Sequence, residues 1–134
     1  MEWGDAIFGI YLALNGPLEY KSGQEILSKS AQVHISPPGL EFFSKIYYEC
    51  RSGKPPLNPP SIMSNDSMMD PTKITTDNGN NNNSDKHLIK FLVLSVPYEI
   101  KNADPKMAQE NVWDNFKCRY ADQIIETINQ DYTI

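Results

Sequence analysis

His87-Leu88-Ile89-Lys90-Phe91-Leu92-Val93-Leu94-Ser95-Val96-Pro97-Tyr98 is the stretch whose reading decides the fold. Taken with a period of two, one face carries Leu88, Lys90, Leu92, Leu94 and Val96, and the other Ile89, Phe91, Val93 and Ser95. Both faces are mainly apolar, the pattern of a central strand covered on two sides. Pro97 has no amide proton to donate and ends regular pairing. Further on, Asp104-Pro105 places a capping residue before a proline suited to the first helical position. Trp113, Phe116, Tyr120, Ile124 and Ile128 then recur every three or four residues, the apolar stripe of an amphipathic helix. Strand and helix together predict a core containing Phe91, Trp113, Phe116 and Tyr120.

The 134 residues, 40% of them hydrophobic, suit one domain spanning 1–134. Residues 3–14 fit two periods: Trp3, Ile7, Ile10 and Leu14 on a helical face, or Phe8, Ile10, Leu12 and Leu14 on a strand face. Asn15-Gly16-Pro17 reads as a helix stop and selects the helix, with Gly9 counting against it. Residues 17–30 are polar except for Ile26-Leu27. Ala31, Val33 and Ile35 alternate with Gln32, His34 and Ser36, which predicts a strand with one wet face. Pro37-Pro38-Gly39 is a turn. Leu40, Phe42, Ile46, Tyr48 and Cys50 then line one side of a longer predicted strand, so 31–36 and 40–51 form a hairpin. The four prolines of 52–60 give an extended, polyproline-like surface segment. Residues 61–86 form a polar, asparagine-rich insert, a mobile loop region with a short edge strand at Thr72–Thr76.

Charge and motif content narrow the function. At a formal charge of -5 with scattered Lys and Arg, the chain lacks the basic cluster of a nucleic-acid binder or of a protein drawn to anionic lipid. Cys50 and Cys118 are far apart with no CxxC spacing and read as two reduced thiols. His34 and His87 have no Cys or carboxylate at ligand spacing. No phosphate loop, nucleophile elbow or HExxH is present, and Glu110 with Asp114 reads as a solvated helix face. The expectation is a protein with no catalytic role, no metal and no cofactor. Without a charged leader or a run of ~18 apolar residues, it is expected to be cytoplasmic or nuclear, not secreted and without a transmembrane segment. Two segments suit partner binding. Pro55, Pro56, Leu57, Pro59 and Pro60 make a stiff strip that costs little entropy to bind, and Ile26 and Leu27 are apolar residues in a polar loop.

Four stretches, in this order, resemble the core domain of rhabdovirus matrix proteins. They are Ile7–Leu14 closed by Asn15-Gly16-Pro17, Leu40–Arg51 running into Ser52-Gly53-Lys54-Pro55-Pro56-Leu57-Asn58, Leu88–Val96, and Val112-Trp113-Asp114-Asn115-Phe116. The resemblance implies an α+β domain: an antiparallel sheet packed against two helices, with a long polar loop insert. It also implies a non-enzymatic structural role in the virion and host cytoplasm. That role comprises self-association, condensation of the ribonucleoprotein through the nucleoprotein, attachment to the inner membrane face and viral budding. Ile26 and Leu27 would then lie in a self-association or membrane loop. The alternative is a small cellular subunit or assembly chaperone that docks one protein partner in a heterodimer, with neither lipid nor nucleic acid involved.

Overall fold

The computed structural model describes residues 5–20, 25–73, 86–101, 112–129 and 132–133. The fold is α+β. In chain order the elements are β1 (Ala6–Leu14), β2 (Glu19–Tyr20), α1 (Glu25–Ser28), β3 (Gln32–Ile35) and α2 (Leu40–Arg51). They continue with β4 (Ser61–Asn65), α3 (Asp66–Met69), a 3-10 turn (Pro71–Lys73), β5 (His87–Val96), α4 (Val112–Ile128) and β6 (Tyr132–Thr133). The main sheet runs β1-β5-β4-β3 with every neighbour antiparallel, and β2 pairs separately with β6.

β5 is an inner strand, as its apolar run requires. Ile89, Phe91 and Val93 are buried in one cluster with Ile10, Met63 and the Tyr120, Ile124 and Ile128 stripe of α4. Burying a side chain such as Phe91 contributes about 2–3 kcal/mol. Leu88, Lys90, Leu92 and Leu94 on the second face are only half-buried, so among the described residues that face is partly open where full cover was expected. The alternation also breaks. Ala6 pairs with Val96 but Phe8 with Val93, so β5 carries one extra residue there. Ser95 takes a φ of 55° at this bulge. The extra residue turns Val96 into the core, away from the Leu88 face on which a strict period of two places it.

Three expectations are corrected. Residues 3–14 were expected to be helical, yet Ala6–Leu14 is a strand whose Phe8, Ile10, Leu12 and Leu14 turn to the core; pairing along the whole of β5 outweighs the stop signal at Asn15-Gly16-Pro17, which is a turn. Residues 40–51 were expected to be a strand, yet they form a 12-residue helix, and β3 takes β4 as its partner instead. The segment 61–73 is expected within the mobile insert, yet it supplies the inner strand β4, the short helix α3 and a 3-10 turn (Pro71–Lys73) that takes in the first two residues of the expected Thr72–Thr76 strand. Trp3, residues 74–85 and Asp104-Pro105 lie outside the described residues.

The end of α2 shows why it is a helix. Gly53 N–H donates to Cys50 O and Lys54 N–H to Glu49 O, both at 2.9 Å, with Gly53 at φ +80°. This is the Schellman arrangement, which needs a residue free to adopt the left-handed region. Lys101 N–H donates to Gly53 O at 2.9 Å, tying the helix end to the exit of β5.

Candidate interaction surfaces

α2 turns Ile46 and Cys50 inward and leaves Leu40, Phe42, Phe43, Tyr47 and Tyr48 exposed, Leu40 at 79% and Tyr48 at 70%. The rings of Tyr47 and Tyr48 meet edge to face at 5.8 Å. The Arg51 guanidinium lies 5.3 Å from the Tyr47 ring centre, covering its face with a cation. The result is an aromatic helix surface with a basic end. A second apolar surface belongs to the open side of the sheet, where Ile7 and Tyr11 of β1 are 62% and 68% exposed beside the half-buried Leu88, Leu92 and Ile62.

The segments singled out from sequence fare differently. Ile26 is 80% exposed and Leu27 half-buried, both on the short helix α1. The proline segment is not a free strip. Pro56 is fully buried and its carbonyl accepts the Tyr120 hydroxyl at 2.9 Å, a bond that also satisfies the phenol in the core. Pro59 is buried, Pro55 and Pro60 are half-buried, and Pro60 O accepts the Leu94 N–H at 2.9 Å. Only Leu57 of the five stands out into solvent. The prolines fit here because they surrender no amide proton to a buried site, while their carbonyls still find donors. Of the four residues expected in the core, Phe91 and Tyr120 are fully buried, and Trp113 and Phe116 are half-buried and pack against the cluster. Phe8 stacks on Trp113 at 5.7 Å and Phe116 on Tyr120 at 5.5 Å, and Trp113 Nε1 donates to Tyr98 O at 2.9 Å.

Two polar clusters bring together residue types that could carry chemistry. A cleft of about 150 Å³ between the end of α2 and the exit of β5 is lined by Asp5, Cys50, Arg51, Pro97, Glu99 and Lys101. There the Cys50 thiol donates to Asp5 Oδ1 at 3.4 Å. Burial pushes the thiol up to about 12, the Asp5 hydrogen bond and charge add to it, and Arg51 opposes. A thiol so held is protonated at neutral pH and lacks the thiolate that a nucleophile or metal ligand requires. Around α3, the Ser64 hydroxyl donates to Asp66, and Lys73 Nζ lies 3.7 Å from the same carboxylate. The Ser64 bond, ahead of the Lys73 and Lys90 charges, holds Asp66 below the usual carboxylate range. Ser67 Oγ accepts the Leu88 N–H at 3.0 Å and pins α3 to β5. Its distance of 3.5 Å to His87 Nδ1 is at the outer limit of a hydrogen bond. Among the described residues no three His, Cys, Asp or Glu side chains converge to hold a metal, and no helix is long and apolar enough to cross a membrane.

No protein-family model, no characterised protein and no solved structure matches the chain. The exposed surfaces of α2 and β1 were missed in the sequence because both segments were assigned the wrong element. Their signals were present: Ser52-Gly53-Lys54-Pro55 after an apolar run spells a helix end, and Gly9 inside 3–14 argued against a helix.

Proposed function

We propose that this chain is a non-enzymatic assembly protein that associates with itself and docks on another protein. The observation that carries the reading is the amount of large apolar side chain left in water on two separate surfaces, Leu40 to Tyr48 on α2 and Ile7 with Tyr11 on β1. Several large apolar side chains exposed on one short element point to a contact site, whereas single ones scattered over a surface do not. The matrix-type form of the proposal adds a nucleoprotein partner, the inner membrane face and budding. It rests on the resemblance, and two of the stretches that carry it, Ile7–Leu14 and Leu40–Arg51, are a strand and a helix where the opposite was read. The alternative is a cellular subunit that docks one protein partner. The charge of -5 favours a protein surface over anionic lipid.

Light scattering over a dilution series tests the common part: mass rising with concentration is expected, and a monomer throughout would refute it. Co-sedimentation with phosphatidylserine vesicles and capture of a nucleocapsid separate the two forms. Binding to either supports the matrix type, and a stoichiometric heterodimer without lipid affinity supports the alternative.

A further inference from the structure

We infer that β1 is a self-pairing edge: two copies of the chain join β1 to β1, antiparallel about a twofold axis at Ile10, into one continuous eight-stranded sheet. This deepens the self-association reading and rests on it.

β1 lies at the end of the sheet order, and among the described residues no backbone group of Ala6–Leu14 has a partner other than on β5. Natural edges are kept from pairing by charge, proline or shortness. β3, at the other edge, is four residues long with Gln32 and His34 outward, and Pro37-Pro38 follow it. β1 has none of these guards. Its nine residues, AIFGIYLAL, contain no charge and no proline.

The occupant is argued from the strand's own sequence. A twofold normal to the sheet keeps both copies of α4 on one side and pairs residues whose numbers share a constant even sum. A one-residue slip would set core positions opposite solvent positions. With Ile10 on the axis all nine residues pair. On the open face Gly9 then meets Tyr11 of the second copy, and Ile7 meets Ala13, small against large each time. Tyr11 leans over Gly9 of its own strand, its ring 3.5 Å from where a Cβ would sit, so there is room for an aromatic ring above this glycine. Across the seam the second copy's Tyr11 would take such a place, the cross-strand arrangement that fixes register. Shifting the axis to Tyr11 would set two tyrosines against each other. Shifting it to Gly9 would leave Ala13 and Leu14 unpaired. Because β1 is uncharged, the net negative charge of the two copies does not meet at the seam.

The test uses the full chain with Cys118→Ser. Gly9→Cys and Tyr11→Cys copies, mixed and oxidised, should cross-link rapidly as a hetero-pair, and each alone only slowly. Separately, Tyr11→Lys, at an exposed position, should keep the native circular dichroism and weaken the dimer by about tenfold or more in Kd, because it sets a cation at the seam. A dimer that ignores Tyr11→Lys and gives no hetero-pair cross-link would overturn this surface while leaving self-association standing. A chain that stays monomeric, or one whose β1 takes up a strand of a different protein instead, would overturn the self-pairing and, in the monomeric case, the self-association reading with it.

Discussion

Gly53 holds two unrelated demands at once. Its φ of +80° closes α2, and a Cβ there would stand 2.6 Å from Lys101 Cβ. Gly53→Ala should therefore destabilise the fold by ~1–3 kcal/mol in urea titration, from the left-handed backbone and the clash together. The two cysteines separate cleanly at the same scale. Cys118 is exposed and Cys50 buried with its thiol proton held toward Asp5. A thiol reagent at pH 7.5 should label one cysteine per native chain, at position 118, and a second only in denaturant. Asp66 gives a pH dependence with a definite sign. Its carboxyl is held below the usual range in the folded state, so the unfolded chain binds that proton more readily. The Ser64 and Lys73 contacts thus stabilise the fold above the unfolded value, and the contribution is lost as pH falls through the folded one. Asp66→Asn should cost stability at pH 7, and the gap to the parent chain should close on acidification below pH 4.

At the scale of elements, the bulge in β5 is the feature most open to test. Ser95 sits at φ 55°, where a residue with a side chain costs ~1–2 kcal/mol and a β-branched one more. Ser95→Gly should be neutral or slightly stabilising, and Ser95→Val should lose about 1–2 kcal/mol or more, measured by chemical denaturation. The same strand shows what could be read without coordinates. The inner position of β5 and the stripe of α4 followed from residue types alone, since a strand with two apolar faces and a helix with one have few other places to go. The identity of β1 and α2 did not follow. Leu40-Glu41-Phe42-Phe43-Ser44-Lys45-Ile46-Tyr47-Tyr48 is rich in aromatics that favour strands, and only Gly53, five residues past Tyr48, reveals the helix. Likewise 61–65 (SIMSN) is too short and polar to announce a central strand; it is one because β5 offers it Ile89 to Val93 as partners. The proline segment was seen but its burial was not, because the donors that satisfy Pro56 O and Pro60 O come from Tyr120 and Leu94, far along the chain.

For the whole molecule, the two apolar surfaces should be separable. Leu40→Glu with Tyr48→Glu alters only exposed positions of α2. The double variant should retain its melting transition, lose capture of the docked partner, and still self-associate through β1. The antiparallel partnership of β1 with β5 also has a consequence for the nascent chain. Phe8 and Ile10 find Val93 and Phe91 only after roughly 80 more residues have been added, a wait on the order of 4–17 seconds at ordinary elongation rates. Until then a nine-residue greasy ribbon waits with neither of its flanks occupied, so a chaperone, or a neighbouring polypeptide on the same polysome, meets it before its own sheet does.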